Sequence, residues 1–311
     1  MKEPNFFIVG AAKAGTTSMY KYLGSHPDIY FSPIKEPQYY AFDIRDNNFD
    51  ERTKQSYLFD MKQYLSKDFL EEKHIALLID KSQYLELFQN VTSEKVVGEI
   101  SNVYLFSKVA AKEIYNDNPE SVIYIILRNP VERAFSHWLM DLRGGIEKEY
   151  DFVKAIKKDY QNNDRCWGNG HLYIDVGLYY EQVKRYIDIF PKNQIKIFLF
   201  DEIEKDSTKV LKSMLDFLNL DQIIKINNTK RYNKAELPRF PFLYNSLRKL
   251  TPFFNNVLGL KIKIKLRSLI MSNKNLPRLT MRDRERVFTY FKKDIEKLEK
   301  LIDEDLSTWK V

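Results

Sequence analysis

The segment Phe6-Phe7-Ile8-Val9-Gly10-Ala11-Ala12-Lys13-Ala14-Gly15-Thr16-Thr17-Ser18 constrains this chain more than any other. An apolar, β-branched run stops at a glycine. A short loop holding one lysine and a second glycine follows, and two threonines and a serine open a stretch with helical spacing. The pattern is strand, loop, helix, with the loop at the helix N-terminus. Backbone N–H groups there lack intrahelical partners, and the helix dipole favours an anion. Small residues let a phosphate approach the backbone. The nucleotide-triphosphate loop has the form G-x-x-x-x-G-K-[ST]. Here Gly10 and Gly15 keep its spacing, but Thr16 stands where the lysine belongs, and Lys13 lies inside the loop. The plainer alternative is a glycine turn joining a buried strand to a helix.

With 311 residues, 44% hydrophobic and 30% charged, the chain is long enough for a sizeable α/β core and too apolar for disorder. Its one cysteine, Cys166, excludes an internal disulfide framework and suits a reducing compartment. Four histidines without paired spacing give no reason to expect a zinc site. No run approaches the ~20 apolar residues of a membrane span. The short apolar run ending at Lys13 does not read as a leader. The expectation is a soluble, cytoplasmic protein.

The net charge of +7 is local in origin. Residues 225–270 carry eleven lysines and arginines against the single acid Glu236. Such a segment attracts anionic lipid, nucleic acid or acidic small molecules, or is simply a solvated surface. Within it, residues 261–267 alternate cation and apolar residue, as an edge strand, a lid or a membrane-contacting surface would.

Further strands are expected at Ile29–Ser32, Lys95–Ile100, Val122–Leu127 and Ile195–Phe200, with helices between them. Residues 43–75 read as helical and peripheral. Asn129 and Pro130 suit a helix start, Pro191 ends a helix, and Thr280 with Asp283 resembles a capping box. The fold class implied is α/β, a central parallel sheet flanked by helices on both faces. We expect one domain over residues 1–311, with a basic loop or lid at 225–280 and a C-terminal helical cover at 281–311. Ligands of such sheets lie beyond the carboxyl ends of the strands. Lys13 lies there for the first strand and Arg128 for Val122–Leu127. Arg128 offers a fork suited to a doubly charged phosphate, and Ser136 follows about two helical turns later. Glu132 is the alternative, structural partner for Arg128.

Two anion sites on two strand-to-helix turns suggest a nucleotide phosphorylated at both ends. Together they resemble the sulfotransferases that use 3′-phosphoadenosine 5′-phosphosulfate (PAPS). Residues 12–18 are similar to that family's 5′-phosphosulfate loop, and Leu127 to Ser136 to its 3′-phosphate motif. The likeness continues through His26-Pro27-Asp28, Lys35-Glu36-Pro37, Gly98-Glu99-Ile100-Ser101, Gly177 to Tyr180, Phe190-Pro191 and Asp305 to Trp309. It is strongest toward carbohydrate sulfotransferases of heparan-sulfate type and their bacterial relatives.

The resemblance implies that Lys13 touches the phosphosulfate and acts in catalysis. Backbone and side chains of Ala14, Gly15, Thr16, Thr17 and Ser18 would hold the 5′-phosphate, and Arg128 and Ser136 the 3′-phosphate. It implies Glu36 as the base within a Lys-Glu-x-x-x-Phe pattern, although Phe42 falls two places late. Asn227 to Tyr232 resembles a loop closing over the cofactor, so Lys230 and Arg231 would add charge, with Arg231 where the pattern has glycine. Glu99, Trp138 and Tyr179 are candidates for contact with the acceptor. Ile100 replaces a lysine of the heparan-type pattern. No metal is implied. The acceptor would be a hydroxyl or amine of a glycan, glycolipid or small molecule. Two other readings stay open: a P-loop kinase using magnesium and ATP, and a non-enzymatic polyanion- or membrane-binding module.

Overall fold

The structure is a computed structural model. It describes residues 3–44, 49, 54, 57, 59–67, 70–164, 166–168, 170–221, 237–238, 271–272 and 276–311.

Strand β1 (Phe6–Gly10) is buried along its whole length. A strand with no polar face must be covered on both sides, and this one lies at the centre of a five-stranded sheet. The order is β2 (Ile29–Phe31), β5 (Val96–Ile100), β1, β6 (Val122–Leu127) and β7 (Ile195–Leu199), all parallel. The chain leaves β1 toward β2 and β5, then crosses back to β6 and β7. The strand order therefore reverses between β1 and β6, where a ligand crevice is expected in open α/β sheets. Phe7 registers with Ile123 and Ile8 with Tyr124, so the two strands end side by side. The core between the layers is strongly aromatic. Phe6 meets Tyr124 edge-on with centroids 4.7 Å apart, and the Tyr124 hydroxyl donates to the Met214 carbonyl.

The helix Thr16–Leu23 follows β1, and the helix Pro130–Gly144 follows β6. Asn129 caps the latter through Oδ1, accepting from the Val131 N–H at 3.0 Å, and Pro130 occupies its first turn. The last helix, Met281–Ile302, starts at Thr280, whose Oγ1 accepts from the Asp283 N–H. It buries Val287, Phe291, Ile295 and Leu298 against the helices Tyr179–Ile189, Pro130–Gly144 and Phe152–Gln161.

The reading of residues 43–75 as helical needs correction at its end. Among the described residues Lys54, Tyr57 and Met61–Leu65 are helical, but Lys73–Ile75 form strand β4. Strand β4 pairs in parallel with β3 (Ile34–Glu36), Ile34 opposite Lys73 and Glu36 opposite Ile75. Parallel partners far apart in the chain leave no local turn signal to read. The basic segment 225–270 lies outside the described residues apart from Leu237–Pro238, a short strand antiparallel to Met271–Ser272. Lys230 and Arg231 also lie outside them. No helix among the described residues is long and apolar enough to cross a membrane.

Candidate anion and acceptor site

The loop after β1 turns through two left-handed residues, Lys13 (φ 71°) and Gly15 (φ 86°). Gly15 is the N-cap of the helix Thr16–Leu23 and contributes no side chain. A Cβ on it would lie 2.7 Å from the Phe200 ring, so glycine is required here by conformation and by space. The N–H of Ala14 donates to the Ala11 carbonyl and that of Ser18 to the Gly15 carbonyl. This narrows the expected phosphate cradle. Among the described residues the N–H groups of Gly15, Thr16 and Thr17 remain without a partner. Thr16 is buried, whereas Thr17 and Ser18 stay partly open.

Arg128 leaves the end of β6 and closes on the same loop. Its Nη1 donates to the Lys13 carbonyl at 3.2 Å, and its guanidinium lies 4.6 Å from the centre of the Phe200 ring. Phe200, the first residue after β7, thus packs against both Gly15 and Arg128. Nothing in its sequence neighbourhood singled it out, because the contact is made across three strands. Glu132 lies 3.5 Å from Arg128, but its shorter pair is with Arg284 of the last helix at 2.8 Å. The structural partner foreseen for Arg128 is therefore shared and loosely held. Arg128 Nε is buried without a partner among the described residues. Ser136 lies half-buried on the following helix.

The Lys13 ammonium reaches the Met140 sulfur at 3.4 Å. Burial is the main cause that pulls it down to about 8. The positive field of Arg143 adds to this, Asp141 opposes it, and Arg128 and Arg133 pull further down. A cation crowded by cations and stripped of water is primed for an anion. Behind it, burial pushes the His137 imidazole down to about 3, so it is neutral at ordinary pH. His137 belongs to a buried array with Asp141, His171 and Tyr173: His171 Nδ1 lies 2.7 Å and the Tyr173 hydroxyl 3.1 Å from Asp141 Oδ2.

Glu36 ends β3 in a buried setting. Its Oε1 accepts from Lys35 Nζ at 2.6 Å and from Asn102 Nδ2 at 2.7 Å. The Lys35–Glu36 pair is real but lies inside the fold. The Trp167 indole and the Gln38 amide sit beside the Tyr57 hydroxyl, which also lies in the field of Glu36. Asn102, Tyr57 and Trp167 were not legible as site residues, since Asn102 meets Glu36, and Trp167 meets Tyr57, only through tertiary packing.

Three candidates for acceptor contact lie in the interior of the fold. Glu99 is 1% exposed within strand β5, among the hydroxyls of Tyr84, Tyr104 and Ser101. Burial pushes its carboxyl up to about 8, so it is an interior acid and no surface contact. Trp138 is 1% exposed, packs on Phe135 and Phe152, and donates its indole N–H to the Glu149 carbonyl at 2.9 Å. Tyr179 is fully buried and donates its hydroxyl to the Arg128 carbonyl at 3.0 Å. Its role is to seat Arg128. Asp294 of the last helix accepts from the N–H groups of Tyr179 and Tyr180. Among the described residues no group of three or more His, Cys, Asp or Glu is arranged to hold a metal ion.

A parallel α/β sheet whose central strand runs into a glycine loop at a helix N-terminus, with an arginine closing on that loop from the next strand, is an arrangement suited to phosphate groups. The chain belongs to the sulfotransferase family, whose model matches residues 4–223. It is 23% identical over 306 residues to mouse carbohydrate sulfotransferase 15, covering 82% of this chain and 53% of that protein. It is 24% identical over 237 residues to human bifunctional heparan sulfate N-deacetylase/N-sulfotransferase 1, covering 74% of this chain and 24% of that protein. The chain thus spans about half the length of the carbohydrate sulfotransferases it matches. A solved sulfotransferase from Alicyclobacillus acidocaldarius superposes over 100% of both chains with a TM-score of 0.68 and 29% identity.

Proposed function

We propose that the chain moves the sulfuryl group of PAPS onto a hydroxyl or amine of a glycan, glycolipid or small metabolite. The observation that carries this reading is the junction of the Lys13 loop with Arg128, two groups suited to anions and joined by one hydrogen bond. The free N–H groups of Gly15, Thr16 and Thr17 suit a 5′-phosphate, and the unpartnered Arg128 Nε suits a 3′-phosphate. PAPS, when bound, supplies the sulfuryl group and leaves as the 3′,5′-bisphosphate.

Lys13 holds positive charge where the bridging oxygen gains negative charge as its bond to sulfur breaks. Glu36 takes the acceptor's proton as the new bond to sulfur forms. Arg128 and Ser136 orient the nucleotide, and Lys230 and Arg231 add positive charge to it. Sulfuryl transfer needs mostly positioning and electrostatics, as phosphoryl transfer does. The lysine inside the loop, rather than after Gly15, separates this reading from a kinase that holds ATP and magnesium.

The test is incubation with sulfur-labelled PAPS and a panel of sugars, phenols and amines. Label should reach at least one acceptor class with the wild type and none with Lys13→Ala. No transfer to any class, from a protein that binds neither PAPS nor its product, would overturn the reading.

A further inference from the structure

We propose that Asn102 is a positioning residue for Glu36: with Lys35 it engages Oε1, so that Oε2 alone is presented to the acceptor. This rests on the reading of Glu36 as the base.

The two bonds to Oε1 are of near-equal length, 2.6 Å from Lys35 Nζ and 2.7 Å from Asn102 Nδ2. Oε2 has no partner among the described residues and is not among the buried atoms lacking one, so it remains reachable. The amide orientation follows from chemistry, since the carboxylate accepts from the NH₂ group and would be repelled by the carbonyl oxygen. Lys35 alone would hold the carboxylate through a flexible four-carbon stem. Asn102 is a short side chain at the N-cap of the helix Val103–Phe106.

The anchoring also has a direction. Glu36 belongs to the β3–β4 ribbon, which is separate from the main sheet. Asn102 is the second residue after β5, and the Ser101 N–H donates to the Ile8 carbonyl of β1. The Gln38 N–H donates to Ser101 Oγ at 3.1 Å. The Ser101–Asn102 turn therefore ties Glu36 to the strand that ends in the Lys13 loop. Base and loop lysine are referenced to one rigid element, as a near-attack geometry requires. At position 100, where the resembling pattern has a lysine, Ile100 is buried in the core and can offer no such contact.

The groups that act on Glu36 come from several elements. Lys35 is on its own strand, the exposed His74 on β4, Tyr57 beside it and Glu99 on β5. Glu99, held near 8 by burial, is neutral at pH 7 and adds no repulsion there. Removing the Asn102 donor takes one of the two hydrogen bonds from Oε1 of the carboxylate that is to accept the proton. An aspartate at that position replaces the donor with a like charge beside Oε1.

Sulfuryl transfer by Asn102→Ala, Asn102→Ser and Asn102→Asp is to be measured from pH 5 to 9, with bisphosphate-product affinity measured by calorimetry. We expect kcat to fall at least tenfold with acceptor KM changed less than threefold. The acidic limb of the kcat profile should move to higher pH, most in Asn102→Asp, while product affinity stays within twofold. Asn102→Ser, small and compatible with the helix start, reports the same shift should Asn102→Ala fold poorly. An unmoved acidic limb, or a change confined to KM, would overturn the proposal. Glu36→Gln with wild-type turnover and normal product binding would instead remove the base reading itself, and this proposal with it.

Discussion

Arg128 Nη1 donates to the Lys13 carbonyl at 3.2 Å, joining the turn after β6 to the turn after β1. The bond brings the two turns together. It also leaves the rest of the guanidinium and the Lys13 side chain directed by separate forces. Arg128 is seated by Tyr179 and Phe200, and Lys13 by burial beside Met140.

Replacing Lys13 with alanine removes the only side-chain cation of the loop. Turnover should fall by roughly 10²-fold or more, the scale for losing one preorganised charge stabiliser. Circular dichroism should show an unchanged fold, since Lys13 makes no buried ion pair among the described residues. Turnover within tenfold of wild type would show that the charge on the leaving oxygen is met elsewhere.

The lowered Lys13 ammonium sets a pH dependence. Its value in the free protein is about 8, and a bound anion favours the protonated form. Below that pH the lysine is already charged and binding needs no proton. Above it, binding must recruit one, so affinity for the bisphosphate product should weaken by up to about tenfold per pH unit. Calorimetry from pH 7 to 10 should show this bend in wild type, and Lys13→Ala should lack it. The same bend in Lys13→Ala would assign the effect to another group.

Gly15→Ala places a Cβ 2.7 Å from the Phe200 ring at a φ of 86°. Strain of this kind costs about 1–3 kcal/mol, and the displaced ring is the one that supports Arg128. Thermal unfolding should fall by several degrees and product affinity should drop as well. Pairing the change with Phe200→Leu should recover part of the stability but less of the affinity.

How much of this was readable beforehand varies by element. The loop from Gly10 to Ser18 and Arg128 after Val122–Leu127 were legible because a strand–turn–helix writes its function within a dozen residues. Asn129 and Thr280 were legible as caps for the same reason. Glu36 was legible as a position, but its partner Asn102 lies 66 residues away and Phe200 meets Gly15 only across the sheet. Glu99, Trp138 and Tyr179 carry polar handles that suggested ligand contact. In the fold Trp138 and Tyr179 donate to backbone carbonyls and Glu99 is enclosed among buried tyrosines, which neither composition nor spacing reveals.

Tyr179→Phe tests the seating of Arg128 without altering any group that meets the nucleotide. Losing the 3.0 Å bond to the Arg128 carbonyl should cost about 1 kcal/mol of stability in chemical denaturation. Product affinity should weaken a few-fold through the shifted guanidinium, with acceptor KM unchanged. Equal affinity in both proteins would show that the strand alone positions Arg128.

The two-phosphate site itself is tested most directly by calorimetric titration of wild type and Arg128→Ala with adenosine 3′,5′-bisphosphate and with adenosine 5′-monophosphate. Wild type should bind the bisphosphate at least tenfold more tightly than the monophosphate, without added magnesium, and Arg128→Ala should erase that difference while keeping monophosphate affinity. Equal affinity of wild type for the two nucleotides, or a preference that survives in Arg128→Ala, would contradict a site in which Arg128 holds the second phosphate.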